Sequence, residues 1–245
     1  MDVVSFYILI ITFIATLVRS TFGFGESLIA VPLLTLFIPI EIAVPLSVLV
    51  SIAIAAVVVV QDRKQIHFNS AKWLIIFAAL GIPLGLFILV YANENVIKSG
   101  LGLLIVLYSV YSLIAKRNLR LKADNMGWLF VCGFFSGVFG GAYGLNGPPL
   151  VIYGNMRSWT AKYFRATLQA YFLPVSIIGM FGYWYKGLWT PIVTHYFLIS
   201  IPVIIPAIFL GRFLNHRLKD GTFLNYIYLG LICIGVLLLT QSLVK

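Results

Sequence analysis

The sequence predicts an all-α polytopic membrane protein, with about ten helical segments in two inverted repeats, 1–122 and 123–245, that form one integrated membrane domain. Hydrophobic residues make up 61% of the 245-residue chain and charged residues 10%, whereas soluble domains carry about 25% charged residues. The apolar residues form runs of the roughly 20 residues that a membrane helix needs, and not the alternation of outer-membrane strands. Paired short helices at two Gly-rich motifs mark the two halves.

Glycine, proline and charged residues divide the chain into ten segments. Two of them, 26–38 and 147–156, are too short to cross a hydrocarbon core of about 30 Å. Each follows a Gly-rich break, at 20–26 and at 136–147. The predicted segments are 3–20, 26–38, 42–60, 71–91, 96–115, 127–141, 147–156, 161–185, 190–211 and 222–243.

The two breaks align with each other. Pro32 follows Gly23 by nine residues, as Pro149 follows Gly140, which gives an offset of 117 between the halves. Because each half has an odd number of segments, the second half enters the membrane from the opposite face. In inverted repeats of this kind the solute site lies near the midplane, between the broken helices.

The basic residues predict the orientation of the chain. If the N-terminus is outside and the chain reverses at every segment, only Lys98, Lys186 and Lys245 of the 17 Lys and Arg lie outside, which leaves 14 inside. Omitting the short segments divides them 9 to 8. Since basic loops face the cytoplasm, we predict a bacterial inner-membrane protein with both termini outside. The net charge of +10 then indicates contact with the lipid bilayer and not with nucleic acid.

Candidate solute-binding residues gather at the breaks, because helix N-termini offer free N–H groups and a favourable dipole to an anion. Asn146-Gly147-Pro148 is typical of a helix start, with Asn as the cap, and Gly25-Glu26 would open the partner helix. Alternatively, the glycines only allow close helix packing. The candidate residues are Arg19, Gly23, Gly25, Glu26, Gly144, Asn146, Gly147, Arg165 and Gln169.

The charged candidates have alternative roles. Arg19 either binds the solute or pairs with Glu26, or it extends to the cytoplasmic interface as an anchor. Glu26 is the only carboxylate inside a segment, so it either exchanges a proton or stabilises the short helix and pairs with Arg19; we favour the structural role. Arg165 and Gln169 are four residues apart and share a helix face, and an Arg fork suits a sulfonate or carboxylate.

Phe22-Gly23-Phe24-Gly25-Glu26 through Pro32-Leu33-Leu34, and Ser136-Gly137 through Gly147-Pro148-Pro149-Leu150, resemble the two signatures of the sulfite exporter TauE/SafE family. The resemblance extends over the whole chain. It implies a secondary transporter, expected to be an exporter, for sulfite, sulfoacetate, other sulfonates or related carboxylates. The sequence departs from the family at Glu26, where many members have a third glycine.

Other function classes fit less well. The predicted spans contain no aspartate and only His195, which disfavours an intramembrane enzyme, and no GxxxxGK[ST] loop is present for ATP. Cys132 and Cys233 lack the neighbours of a metal site, so we expect neither a metal nor a cofactor. An anion channel, or a carrier for small carboxylates, remains the alternative. The sequence leaves open whether the chain forms a homodimer.

Overall fold

The computed structural model describes residues 3–62, 66–114, 120–217 and 222–243, and within these ranges it contains ten helices and no strand. The all-α fold and its ten segments are confirmed. The helices are α1 (Val3–Phe22), α2 (Glu26–Leu34), α3 (Ile40–Asp62), α4 (Phe68–Tyr91), α5 (Glu94–Ile114), α6 (Met126–Tyr143), α7 (Gly147–Met156), α8 (Ala161–Tyr185), α9 (Pro191–Arg217) and α10 (Thr222–Leu243).

Among the described residues, seven helices are long and apolar enough to cross a membrane: α1, α3, α4, α5, α6, α8 and α9. Helix α10 has a shorter apolar stretch, Tyr228–Thr240. Helices α2 and α7, with nine and ten residues, reach only about 15 Å at 1.5 Å per residue. The orientation stays a prediction, because several basic residues that it uses lie outside the described residues: Arg63, Lys64, Lys116, Arg117 and Lys219.

Each short helix folds back against the long helix before it. In the first hairpin, the rings of Tyr7 on α1 and Phe37, just after α2, stack with their centroids 4.5 Å apart. In the second hairpin, Leu121 precedes α6. Its backbone N–H donates to the carbonyl of Met156 at the end of α7 (2.8 Å). The two ends of each hairpin therefore lie together, and the break forms its tip.

A polar cluster fixes the open end of the second hairpin. The Asp124 carboxylate accepts hydrogen bonds from Ser70 of α4 (2.8 Å), Tyr153 of α7 (2.8 Å) and Arg157 (2.9 Å). Partial burial alone would raise the pKa of the Asp124 carboxyl, but these donors and the Arg157 charge outweigh it and hold the pKa below its usual value.

The two halves interlock through long helices. Helix α1 packs against α9, α4 against α6, α3 against α8, and α5 against α10. A Cβ on Gly85 of α4 would overlap the Val138 carbonyl oxygen, and one on Gly137 of α6 would overlap that of Ala78. These backbones touch because the glycines have no side chain. Packing is therefore the role of Gly137, as the alternative interpretation of the glycines proposed.

The same packing keeps the first part of the second Gly-rich motif helical. Residues 136–141 belong both to the predicted segment 127–141 and to the motif 136–147, and helix α6 continues through them up to Tyr143. The left-handed glycines that end α1 and α6, Gly23 and Gly144, are 121 residues apart, and so are the first residues of α2 and α7. These pairs of positions are therefore separated by 121 residues, whereas the two motifs were aligned with an offset of 117. The offset of 117 paired Pro32, the seventh residue of α2, with Pro149, the third residue of α7.

Candidate functional site

The two breaks are short turns built on left-handed glycines. Gly23 has φ 88° and Gly144 has φ 68°, backbone conformations that residues other than glycine rarely adopt. Each glycine N–H donates to a carbonyl four residues earlier, Gly23 to Arg19 and Gly144 to Gly140, as in helix C-caps of the αL type. Three residues after each glycine the short helix begins.

Each turn lies against the same two positions of the opposite half. The first glycine packs on Arg165 of α8, whose Cα is 3.1 Å from the place of a glycine Cβ, and its carbonyl accepts from Gln169 (2.8 Å). The second glycine packs on Val44 and Val48 of α3, which precede Arg165 and Gln169 by 121 residues. The two turns therefore pack at the same spacing on α8 and α3, but of these contact residues only those of α8 are polar.

Arg19 turns into the protein and is 3% exposed, so the alternative that it extends to the interface is wrong. Its Nη1 donates to Glu26 Oε2 (3.3 Å) and Ser51 Oγ (2.6 Å), and its Nη2 donates to Gln169 Oε1 (2.9 Å). The guanidinium also packs on the face of the Phe172 ring, with Cζ of Arg19 4.6 Å from the ring centroid. Arg19 thus joins α1, α2, α3 and α8.

Glu26, which is 1% exposed, is the counter-charge of Arg19. It also accepts from Ser27 (2.9 Å) and Ser47 (2.8 Å). Ser51, which accepts from the same Arg19 nitrogen as Glu26, has its hydroxyl 3.2 Å from that of Ser176. Ser51 is the twelfth of the 23 residues of α3, so the network lies near the middle of that helix. An anion near these groups would meet an ion pair in which each member has further hydrogen-bonding partners.

A cavity of about 20 Å³ lies between the two turns, more than the 10–15 Å³ that one water needs. Six of the nine candidate residues line it: Arg19, Gly25, Glu26, Gly144, Asn146 and Gly147. Its other lining residues were not identified from the sequence, namely Phe24, Ser27, Leu28, Ser51, Leu145 and Phe172.

Asn146 does not cap α7 as expected, since no N–H of the helix donates to its side chain. The Asn146 side chain lies over Gly140, where an added Cβ would overlap it, and its buried Oδ1 has no hydrogen-bond partner in the described structure. Its backbone carbonyl accepts from Ser136 (2.5 Å), whose hydroxyl accepts from Tyr171 (2.8 Å). The amide of Asn146 is therefore held beside the cavity by bonds to its backbone.

The other three candidate residues do not line the cavity: Gly23, Arg165 and Gln169. Arg165 and Gln169 are buried on one face of α8, as the spacing predicted. Both ends of the Gln169 amide are engaged, one with Arg19 and one with the Gly23 carbonyl. Gln169 is thus placed to orient Arg19 and to hold the first turn.

Comparison with known proteins identifies one family over most of the chain. The family model "TauE: Sulfite exporter TauE/SafE" matches residues 8–238, which include both breaks and all nine candidate residues. No curated protein and no solved structure matches the chain.

Proposed function

Since this chain belongs to the sulfite exporter TauE/SafE family, we propose that it is a secondary transporter that exports small sulfur-containing or organic anions such as sulfite, sulfoacetate or other sulfonates. The family suggests a membrane transporter of sulfite or related anions. The solute class, the direction and the mechanism are parts of the proposal.

The observation that carries the proposal is the position of Arg19 at the cavity between the two turns. A guanidinium presents planar donors that match the oxygens of a sulfonate or carboxylate. The starts of α2 and α7 face the same cavity and add partial positive charge. Asn146 offers its amide there as well. The solute would bind beside Arg19 without leaving a bare charge in the membrane.

Helix packing supports alternating access between inverted repeats, 1–122 and 123–245. In the two repeats α1 corresponds to α6, α3 to α8, α4 to α9 and α5 to α10. With this correspondence the α1–α9 contact matches the α6–α4 contact, and the α3–α9 contact matches the α8–α4 contact. The α3–α8 and α5–α10 contacts exchange with themselves. Rocking of one repeat against the other would then open the cavity to each side in turn. The charge distribution supports a bacterial inner membrane with both termini outside.

The test is uptake into proteoliposomes with a panel of sulfite, thiosulfate, sulfoacetate, taurine and small carboxylates. We expect Arg19→Gln to abolish uptake, while Arg212→Gln, a matched change on α9 away from the cavity, keeps it. A carrier accelerates uptake when unlabelled solute is loaded inside, whereas an anion channel does not, and a preference for carboxylates would favour the second candidate solute class. Absence of uptake for the whole panel, or normal uptake by Arg19→Gln, would refute the proposal.

A further inference from the structure

The residues that directly follow Gly23 and Gly144 occupy equivalent places. Phe24 and Leu145 are 121 residues apart, both are buried, and both line the cavity. We propose that they are a pair of gates, with Phe24 closing the cavity toward the cytoplasm and Leu145 closing it toward the outside. This inference rests on the alternating access proposed above.

Phe24 is closed in by aromatic side chains. Its ring meets that of Phe164 on α8 edge to face, with the centroids 6.0 Å apart. Phe164 in turn lies over Gly154 of α7, where a Cβ would come within 2.6 Å of its ring, and Trp159 borders the same glycine. At this end of the cavity Phe24 is therefore backed by a second aromatic ring, which packs α8 against α7.

Leu145 closes the other end with aliphatic groups. Its turn lies against Val44 and Val48 of α3. The positions equivalent to Phe164 and Trp159 are Ala43 and Ile38, both buried. Phe24 thus meets the first turn of α8, and the turn that carries Leu145 lies against α3, where the aligned side chains are smaller.

The first residues of α8 and α3 indicate which side of the membrane each gate closes. Phe164 is the fourth residue of α8 and Ala43 the fourth residue of α3. The predicted orientation places the start of α8 inside and the start of α3 outside. The two gates then lie on opposite sides of Arg19. Because an apolar constriction excludes water and ions, an anion at Arg19 leaves only when one gate moves.

The experiment measures access to the cavity without any solute. Ser27→Cys, introduced into a chain with Cys132→Ser and Cys233→Ser, places one thiol at the cavity. With a membrane-impermeant thiol reagent, we expect Phe24→Ala to speed labelling from the cytoplasmic side of inverted vesicles and Leu145→Ala to speed it from outside on intact cells. Each rate should rise about tenfold, as expected for ~1.4 kcal/mol less stabilisation of the closed gate.

Matched controls are the lipid-facing residues Phe181 and Leu198, which are 63% and 56% exposed; their changes to alanine should leave both labelling rates unaltered. If either alanine variant fails to fold, as checked by gel filtration, it is replaced by Phe24→Leu or Leu145→Val. We expect these milder changes to raise the labelling rate from the same sides by a smaller factor. Labelling of both variants from one side, from the reversed sides, or at the parent rate would overturn the proposal. A chain that labels as expected but transports none of the panel would retain the gates and refute only the proposed function.

Discussion

Gln169→Ala tests whether the polar network is held together as the structure indicates. The side chain is 0% exposed, accepts from the Arg19 guanidinium at 2.9 Å and donates to the Gly23 carbonyl at 2.8 Å. Alanine removes a hydrogen bond to a charged group and leaves a buried carbonyl without a donor. These losses are typically about 1.5–3 and 1–3 kcal/mol, so we expect unfolding to become easier by about 3–5 kcal/mol.

If Gln169 instead only contacted the solute, as its place among the candidate residues implies, the same change would weaken solute binding with little change in stability. Thermal unfolding of the purified protein in detergent distinguishes the two. For a chain of this length, a loss of 3–5 kcal/mol lowers the Tm by roughly 6–20 °C. Solute affinity should fall as well, since Arg19 loses the group that orients it.

Gln61→Ala is the matched control. The carbonyl oxygen of the Gln61 side chain is buried near the end of α3 and accepts no hydrogen bond in the described structure. Its loss should change the stability by less than about 1 kcal/mol. If Gln169→Ala unfolds at the same temperature as Gln61→Ala, the hydrogen bonds of Gln169 do not hold the network and the reasoning is refuted.

Four further substitutions test other parts of the structure. Glu26→Gln leaves Arg19 without its counter-charge, so we expect a stability loss of about 3–5 kcal/mol with pH-dependent transport retained; a folded variant whose flux ignores an imposed pH gradient would make Glu26 the proton carrier. Gly140→Ala should cost about 1–3 kcal/mol by overpacking against Asn146, whereas Gly147→Ala, whose Cβ would lie 4.0 Å from Phe24, should fold normally and reduce uptake by filling the cavity. Because the pKa of Asp124 is lowered in the folded protein, its contribution is present above the unfolded-state pKa and is lost as the pH falls through the folded-state value; Asp124→Asn should lose about 1 kcal/mol at neutral pH and lack that acid-dependent loss in melts from pH 7 to 3.

Local signals in the sequence were sufficient for the helices. Glu26 and Gly147 do begin the short helices, because Gly-rich turns and segment length act within a few residues. The pairing of Arg19 with Glu26, one of the stated alternatives, is local as well, because only the first break separates the two residues. The Gly-rich motif at 136–147 is broken only in its last residues because Gly137 and Gly141 serve the contact with α4, and a glycine in a sequence does not reveal whether it breaks a helix or packs one.

The rest of the site depends on contacts between the halves. Ser47 and Ser51 share a face of α3, yet serine in an apolar helix commonly bonds its own backbone, so their spacing alone did not predict partners for Glu26 and Arg19. Phe172 reaches the guanidinium only because α8 packs against α3. Asn146 was expected to cap α7, and the contact of its side chain with Gly140 could not be inferred from the sequence.

Interlocking of the halves has a consequence for biosynthesis. Gln169 is made 150 residues after Arg19, a delay of roughly 8–30 s at ordinary elongation rates. During that interval Arg19 already has Glu26 and Ser51, which belong to the first 62 residues, so its charge is neutralised before the second half enters the membrane. The surface of α1 that will meet α9 has no such early partner. A chain stopped after the first half would therefore insert with its ion pair formed but expose that surface to lipid, where chaperones and membrane proteases recognise incomplete proteins.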